Sequence, residues 1–522
     1  MKKLTKCFLV SEYEIYKEKA KKCYKTGKLR NALHYITFCS RIAEAYPIRR
    51  DFIDDELEEL LGKIAFELKK NSDNGGVSKP VHDRKRVVFY NGQIIDSGAL
   101  TEQYLHYLLE NDYSILFIIP DISKTVNGQN ILKFISNHKQ IKVFIPESQD
   151  IISKIYDIGR EIDMYNPTHA FLHFVPTDTV GYCVFATREN LKRYYIVHND
   201  HTFWLGKGCS DYFLEFRKFG HQISNRRRKI DVEKLLLVPF YPIFQKVPFQ
   251  GLPFDRQGKV VGFSAANLYK YYKDPNLRYF NVIKDLLNEH EHFIFCLAGY
   301  GNAEKLMDFI HKNELNDRFF YLGKRDDFYE LVGNVDILFE SYPFKGGLTV
   351  LYAVLQNIPV TGIKNMRTAT QTTSEFFDLE VSYQEPANFD EFKEDASRLI
   401  ESEKSRSERA ATFSNVPNTK EEFTRRLNLL MNGDVESLRR SYTSELQYDD
   451  EFALIEYLNL PKTEIDYAMR KLDMLKEELT WLDKLHLVKG LFKNEDFFFM
   501  RRFRWMNLFL KYYRRMNNPL TT

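Results

Sequence analysis

Short apolar runs alternate with segments of helical spacing along most of the chain. The first half contains runs of strand length, namely RVVFYN, SILFIIP, IKVFIP, AFLHFVP, YYIVHND and KLLLVPFYPI. A second series contains KVVGFSA, HFIFCLAG, RFFYLG, VDILFES and IPVTGI. Strands that alternate with helices are typical of parallel sheets joined by crossover helices. The pattern therefore predicts an α/β protein with two Rossmann-like halves, whose ligands bind at the carboxyl ends of the strands.

Mostly helical regions flank the two halves. Residues 1–75 predict a helical extension with one hairpin of the tetratricopeptide type, and residues 421–522 predict a helical C-terminal region. The halves between them are assigned to residues 84–245 and 246–420. Residues 490–518 interleave aromatic side chains with arginines, which fits either a helix packed on the first half or a helix on an anionic membrane surface.

Composition narrows the class of protein. The 522 residues are 44% hydrophobic and 28% charged, and a net charge of only +3 argues against nucleic acid as a partner. No apolar run approaches the roughly 20 residues of a membrane span. The six cysteines contain no CxxC pair. We therefore expect a cytoplasmic protein with reduced cysteines, whose contact with a membrane, if it has one, is peripheral.

Glycines recur where the strands of the second half end, at Gly299 and Gly301, at Gly323, and at Gly346 and Gly347. Glycine has no Cβ, so a ligand can approach its backbone closely, and the first N–H groups of a helix attract anions. A single glycine pair before a helix would favour an ordinary turn. The recurrence over successive elements favours a seat for a diphosphate instead.

The segment from Gly299 to Val360 resembles the nucleotide-sugar-binding half of a GT-B glycosyltransferase. That half usually has a strand ending in G-x-G, one ending in L-G, an Asp-led strand, and then P-x-x-G-G-x-T and G-x-P-V. The chain has AGYG, YLG, VDILFES, PFKGGLT and NIPV in this order. The resemblance covers roughly residues 86–415, strongly in the second half and by layout in the first. It implies two domains facing across a cleft, with a sugar transferred from a nucleotide-sugar donor, most plausibly a UDP-sugar.

The resemblance also implies a donor site. In the family, residues matching the Gly346 loop contact the diphosphate, and those matching the end of the preceding L-G strand lie near the base. A polar or basic side chain of the first loop often reaches the phosphates, and Lys270 is preferred for this role over Asn267 or Lys273. The predicted donor-binding residues are therefore Asn267, Lys270, Gly299, Leu322, Gly323, Lys324, Gly346, Gly347, Leu348, Thr349 and Tyr352.

Two positions depart from a common retaining subgroup of the family, which carries paired glutamates. The chain has Phe344 and Tyr352 there, and SYPFKGGLT is similar to the O-GlcNAc-transferase-like and protein-glycosylating inverting members. An inverting transferase is favoured. A non-catalytic GT-B-like binding or chaperone subunit and a sugar-nucleotide 2-epimerase are the alternatives. No D-x-D motif occurs, so we expect neither a metal nor another cofactor, and cationic side chains would stabilise the departing diphosphate.

An inverting transfer to a hydroxyl needs a base on the acceptor side of the cleft. The segment YYIVHNDHTFWLGKGCSDYFLEF places His198, Asp200 and His201 just beyond a strand end. Trp204 follows in a position to stack on a sugar ring. The alternative is a polar cluster that only caps a loop by hydrogen bonds.

The first strand–helix turn contains Ser97 and Gly98, which either contact donor or acceptor or form a plain turn. The acceptor is left open among a glycan, a lipid-linked glycan and a protein. The basic aromatic C-terminus suits a lipid-linked acceptor at the inner membrane face, whereas the N-terminal hairpin suits a protein acceptor or partner.

Overall fold

The computed structural model describes residues 6–45, 52–72, 85–92, 99–121, 128–243, 247–364, 383–414 and 416–442. Ser97, Gly98 and the segment 490–518 lie outside these ranges, so what the sequence predicts for them stays a prediction. Within the ranges, parallel strands alternate with helices, as the apolar runs predict.

The first sheet is entirely parallel. Its strands are β1 (Arg86–Asn91), β2 (Ser114–Ile118), β3 (Ile141–Phe144), β4 (His169–His173), β5 (Lys192–Val197), β6 (Tyr212–Glu215) and β7 (Leu235–Leu237). They lie in the order β3-β2-β1-β4-β5-β6-β7. From β1 the chain adds strands toward one edge of the sheet as far as β3, and from β4 it adds them toward the opposite edge, so the order reverses between β1 and β4. At such a point the loops diverge and leave a crevice, where open α/β sheets bind ligands.

The second sheet repeats this plan on a smaller scale. Its strands are β8 (Val260–Ala265), β9 (Phe293–Ala298), β10 (Phe319–Gly323), β11 (Ile337–Phe339) and β12 (Val360–Thr361). Their order is β10-β9-β8-β11-β12, and all pairs are parallel. The reversal therefore lies between β8 and β11, and a second crevice is expected there.

The helices surround both sheets. They are α1 (Lys6–Lys25), α2 (Leu29–Ala45), α3 (Asp55–Ser72), α4 (Ala99–Glu110), α5 (Gln129–Ser136), α6 (Ile151–Tyr165), α7 (Thr179–Phe185), α8 (Lys218–Arg226), α9 (Tyr269–Tyr272), α10 (Arg278–Glu289), α11 (Glu304–Lys312), α12 (Phe328–Gly333), α13 (Gly347–Leu355), α14 (Phe389–Glu401), α15 (Glu403–Ala411), α16 (Lys420–Met431) and α17 (Val435–Arg440). None of these described helices combines the length and the apolar character needed to cross a membrane.

The N-terminal helices form one face of the first half. Because strand side chains alternate between faces, Val88 and Tyr90 of β1 share a core with α1–α3, α6 and α7. Val87 and Phe89 face the opposite way, into the core that contains α4 and α5. The extension is therefore built into the first half and does not stand apart from it.

The chain returns to the first half after completing the second. Arg426 of α16 donates from Nη1 to the carbonyl oxygen of Leu237 at 2.9 Å. The hydroxyl of Tyr442 donates to the carbonyl oxygen of Leu235 at 3.2 Å. Helices α16 and α17 therefore cover the β7 edge of the first sheet, and this crossing ties the two halves together.

Candidate functional site

The second sheet presents a glycine loop where its strand order reverses. After β11 the chain passes through Gly346, the N-cap of α13, whose φ of −122° and ψ of 89° are accompanied by no side-chain cap. Gly347 is buried, and Leu348 and Thr349 are half-buried on the first turn. The first N–H groups of a helix have no acceptor within it. The loop therefore offers backbone donors at the positive end of the helix dipole, a combination that binds phosphate.

Lys270 reaches this loop from the neighbouring strand end. It lies on α9, shortly after β8. Its Nζ donates to the carbonyl oxygen of Lys345 at 3.3 Å, immediately before Gly346. Burial lowers the pKa of Lys270. The structure thus brings together the basic side chain and the glycine loop, two features that lie far apart in the sequence.

Two carboxylates hold the loop in place through Lys345. Its Nζ lies 2.5 Å from Glu340 and 2.7 Å from Glu385, and none of the three side chains is more than 3% exposed. Burial alone would lower the pKa of Lys345, but the two carboxylates raise it. Ser341 donates from Oγ to the carbonyl oxygen of Phe344 at 2.6 Å. Lys345 is therefore a structural cation that shapes the loop, whereas Lys270 is the cation beside its backbone.

The other glycines of the second half serve different purposes. Gly299 has a φ of +149°, and a Cβ there would lie 1.9 Å from the carbonyl oxygen of Ala266. Close packing against the loop after β8 therefore explains why this position is a glycine, and no ligand is needed to explain it. Gly323 has a φ of +67°, and a Cβ there would meet nothing within 4 Å. The position of a Cβ is therefore open at the end of β10, while the Gly323 carbonyl oxygen accepts from Gly299 N at 2.8 Å.

Three further residues predicted for the donor site lie near these strand ends. Asn267 accepts at Oδ1 from the backbone N–H of Tyr269, at 3.3 Å, and so shapes the turn before α9. Leu322 is half-buried against the core. The side chain of Lys324 is 76% exposed and lies 3.2 Å from Asp326. These contacts give Asn267 and Leu322 a structural role and leave Lys324 in solvent.

Tyr352 connects the two halves. Its hydroxyl donates to the carbonyl oxygen of Ile243 at 2.7 Å, and burial raises its pKa to about 12. The ring contacts Phe328 edge-on, with 5.4 Å between centroids. Tyr352 therefore holds the end of the first half against α13, at the position where a retaining subgroup has a glutamate.

On the first sheet, the end of β5 carries an ion pair and a histidine. Arg217 donates to both oxygens of Asp200, at 2.5 and 2.8 Å, and His201 Nδ1 lies 2.9 Å from Asp200 Oδ1. Burial alone would raise the pKa of Asp200, but Arg217 and His201 lower it, so the carboxylate is ionised. An ionised carboxylate accepts a hydrogen bond from Nδ1–H, and in that tautomer of the imidazole the lone pair is on Nε2.

Two residues predicted for the acceptor side need correction. Asp200 is completely buried beneath Arg217 and cannot meet an acceptor hydroxyl, so it can orient His201 but cannot itself be the base. Trp204 is 1% exposed, stacks on Tyr195 with 4.7 Å between ring centroids, and lies 4.6 Å from the Arg228 guanidinium. A sugar cannot stack on this ring, because Trp204 belongs to the core. The His201 side chain is 33% exposed and can be reached.

Two neighbouring histidines lie at the adjacent ends of β4 and β5, of which His173 is buried and His198 is half-buried. The rings of His173 and His198 are 5.5 Å apart between centroids, and His173 Nδ1 lies 2.9 Å from the hydroxyl of Thr101. Burial lowers the pKa of His173 to about 3 and that of His198 to about 4, so both are neutral near pH 7. His173 Nε2 and His198 Nδ1 are buried without a hydrogen-bond partner in the described structure. The sequence favours a core or cleft-lining role for His173 over that of a base, but it does not place His173 beside His198, because the two residues lie on different strands.

The histidine pair is not part of a metal-binding cluster of described residues. Among the described residues, no group of three or more His, Cys, Asp or Glu side chains could hold a metal ion. Buried polar atoms without partners cost free energy, and they often mark a place where a ligand or water binds. The two ring nitrogens are therefore candidates for binding a hydroxyl.

The loop that carries His201 is fixed by two distant residues. Glu58 of α3 accepts the backbone N–H of Gly206 at 2.8 Å and that of Gly208 at 2.9 Å. Burial raises the pKa of Glu58, and these hydrogen bonds counteract that rise. Arg228 Nη2 donates to carbonyl oxygens on either side of His201, at 2.9 and 2.7 Å. The N-terminal extension thus helps to position the candidate base.

No protein-family model matches the chain, and no curated protein sequence matches it either. Solved structures do match. A UDP-N-acetylglucosamine 2-epimerase of Listeria monocytogenes is 12% identical, with 68% of this chain and 97% of that chain covered at a TM-score of 0.50. The HepE protein of Anabaena, in complex with UDP, is 13% identical, with 67% and 100% covered at a TM-score of 0.50. An O-GlcNAc transferase of Thermobaculum terrenum is 13% identical, with 80% and 81% covered at a TM-score of 0.49.

At these identities the likeness concerns the fold alone, and the fold is common to enzymes with different chemistry. The matched region contains two parallel sheets of Rossmann type, each with one reversal of strand order. This is the arrangement that the alternation of strands and helices predicts. The chain has the GT-B fold.

Proposed function

We propose that the protein is a glycosyltransferase that moves a sugar from a nucleotide-sugar donor to a hydroxyl of a glycan, lipid-linked glycan or protein. The observation that carries the proposal is the contact between Lys270 Nζ and the carbonyl oxygen of Lys345, at 3.3 Å. It places a cation next to the glycine loop at the start of a helix. A bound diphosphate would use both the positive charge and the backbone N–H groups. UDP is favoured as the nucleotide, because HepE of the same fold is solved with UDP.

The donor would be held mainly by backbone atoms. The N–H groups at the start of α13 point out of the helix, and a diphosphate there gains hydrogen bonds and a favourable dipole. Lys270 adds a positive charge in a partly buried place, where electrostatic attraction is stronger than in water. As the bond between the sugar C1 and the diphosphate oxygen breaks, charge accumulates on that oxygen, and Lys270 would stabilise it.

His201 is the base that we propose for an inverting transfer. Asp200 fixes its tautomer, so Nε2 can take the proton of the acceptor hydroxyl while the acceptor oxygen bonds to C1. The electron pair of the broken C1–O bond leaves with the nucleoside diphosphate, and the proton stays on His201. The Asp200–Arg217 pair keeps the carboxylate ionised, and an ionised carboxylate stabilises the imidazolium that forms.

Calorimetry with UDP, GDP and their sugars tests the donor site. We expect UDP to bind and Lys270→Ala to weaken it at least ten-fold, because the substitution removes a charge beside the diphosphate. Lys273→Ala is the matched control, since Lys273 is exposed at the end of the same short helix. Equal losses in both variants, or no binding of any nucleotide, would contradict the donor site.

Turnover separates the transferase from the other functions that the fold supports. We expect release of UDP from UDP-glucose or UDP-N-acetylglucosamine, stimulated by an acceptor, and at least a hundred-fold loss of kcat in His201→Gln. Interconversion of UDP-N-acetylglucosamine and its 2-epimer would identify an epimerase. Nucleotide-sugar binding without any turnover across an acceptor panel would identify a non-catalytic binding subunit.

A further inference from the structure

A cavity of about 410 Å³ lies between the N-terminal extension and the first sheet. One wall comes from α2, and the others come from the loops after β2 and β4 and from the start of α6. Ligand pockets are commonly about 300–1,000 Å³, so the cavity has room for a small ligand. The loop after β4 follows directly on His173, the last residue of that strand, whose carbonyl oxygen accepts from Gly92 N at 2.9 Å. The cavity therefore opens beside the same strand end as the histidine pair.

The extension is joined to the sheet at the cavity itself. The hydroxyls of Thr37 on α2 and Thr179 on α7 lie 3.0 Å apart, and both residues line the cavity. Asp178 beside them accepts from Gly181 N at 2.7 Å and from the Tyr90 hydroxyl at 3.1 Å. These contacts are made by buried side chains, so the wall formed by the extension is a fixed part of the first half.

The lining indicates the chemistry of the ligand. Its charges balance, with two cations and two carboxylates, Arg41 and Lys154 against Asp121 and Asp178. This balance disfavours a strongly anionic ligand such as a bare diphosphate. The polar groups include both donors and acceptors, among them the hydroxyl of Thr177. A ligand with many hydroxyl groups can use both kinds.

Apolar side chains complete the wall, namely Pro120, Ile151, Val175 and Val180. A sugar ring presents C–H groups on its faces and hydroxyls around its edge, which suits a wall of this mixed character. Lys154 lies within the wall, and its Nζ donates to Gln149 Oε1 at 3.3 Å, so a ligand hydroxyl would meet an amide and an ammonium side by side.

We infer that this cavity is a subsite for a neutral sugar unit of the acceptor, distinct from the unit that reacts. The inference rests on the proposed function. It assigns the extension a role in substrate binding, because α2 forms the wall that closes the cavity. It also favours a glycan, free or lipid-linked, as the acceptor class over a protein side chain.

Binding of neutral disaccharides to the full chain tests the subsite. The probes are maltose, cellobiose, lactose and N,N′-diacetylchitobiose, measured by saturation-transfer NMR and calorimetry, with glucose 6-phosphate as an anionic comparison. We expect at least one neutral disaccharide to bind, and Thr177→Trp to weaken it ten-fold or more by filling the cavity. Thr187→Trp is the matched control, because Thr187 is also half-buried but lies beyond the far end of α7.

A second variant tests the subsite independently, in case Thr177→Trp does not fold. Gln149 is exposed at the rim, and Gln149→Ala should weaken the same disaccharide about three-fold or more without disturbing the core. The inference is overturned if no neutral disaccharide binds, if both cavity variants bind like the control, or if glucose 6-phosphate binds ten-fold more tightly. UDP calorimetry on the same proteins reports the donor site separately, so failure of the donor proposal and failure of the subsite are distinguishable.

Discussion

The strand ends of the second sheet are built from glycine and backbone, whereas those of the first sheet are built from ionisable side chains. Around Gly346 the proposed ligand-binding groups are peptide N–H groups, with Lys270 as the adjacent cation. Around β4 and β5 the proposed groups are histidines, and one of them, His201, is held by the buried Asp200–Arg217 pair. Backbone groups cannot change their charge, which suits holding a diphosphate. Histidine can take up and release a proton, which suits activating a hydroxyl.

The difference predicts where charge matters most for stability. In Asp200→Asn, Arg217 loses the carboxylate that neutralises it in a buried place, and breaking such a pair costs about 3–5 kcal/mol. We expect this loss in the free energy of unfolding measured by urea denaturation. His201→Gln removes only the exposed partner of Asp200 and should cost about 1 kcal/mol. Equal costs for the two variants would mean that the pair is not the structural centre of this edge.

Substitution by alanine should have different effects at two glycines of the second sheet, because one is needed for packing and the other is proposed to contact a ligand. Gly299→Ala should cost about 2–4 kcal/mol of stability, because its positive φ is strained for alanine and its Cβ would overlap the carbonyl of Ala266. Gly346→Ala should cost less than about 1 kcal/mol, since its φ is ordinary and its Cβ would lie 3.3 Å from Thr349 Oγ1.

UDP affinity completes the test of the two glycines. Gly346→Ala is expected to weaken UDP binding while the fold persists, because the added methyl stands where the diphosphate would approach. Calorimetry and urea denaturation on both variants provide the readout. If Gly346→Ala lowers the free energy of unfolding as much as Gly299→Ala does, the glycine pair forms a structural turn and not a ligand-binding site.

The N-terminal extension should influence the His201 loop. Glu58→Gln replaces one carboxylate oxygen with an NH₂ group that faces backbone donors, and the lost hydrogen bond should cost about 1–3 kcal/mol. Hydrogen exchange should become faster at residues 198–209 and remain unchanged at the Gly346 loop. Glu59→Gln is the matched control, because Glu59 is exposed and pairs along its own helix with Lys63. Unchanged exchange in Glu58→Gln would separate the extension from the candidate base.

Buried His173 makes the stability of the first half depend on pH in the range where an ordinary histidine titrates. His173 has a pKa of about 3 in the folded protein and an ordinary value when unfolded, so stability is full at neutral pH and falls as pH drops below about 6.5. Between pH 7 and 5.5 the loss from this group is about 1 kcal/mol. His173→Gln should flatten the acid side of a pH–stability profile. A profile unchanged by the substitution would contradict the neutral state of His173.

The sequence predicted most of the fold, because buried parallel strands appear as continuous apolar runs and their order alternates with helices. Strand β6 escaped notice, since YFLE is short and follows a glycine-bearing loop. The glycine loop was also found from sequence, because a glycine pair before a helix is a local pattern.

The acceptor side was predicted less well, because its geometry depends on residues distant in sequence. Trp204 resembles a stacking platform until Tyr195 and Arg228 are seen to enclose it. Asp200 resembles a base until Arg217 is seen on both its oxygens. His173 gains importance only because strand order puts it beside His198. Burial and strand pairing are properties of the whole fold and cannot be predicted from the sequence of a short segment.

A crystal structure of the protein with UDP tests the central claim most directly. We expect the β-phosphate to lie within hydrogen-bond distance of the backbone nitrogens of residues 347–349 and close to Lys270 Nζ. UDP ordered at another place, or absent from crystals soaked at a concentration that saturates the protein in calorimetry, would contradict it.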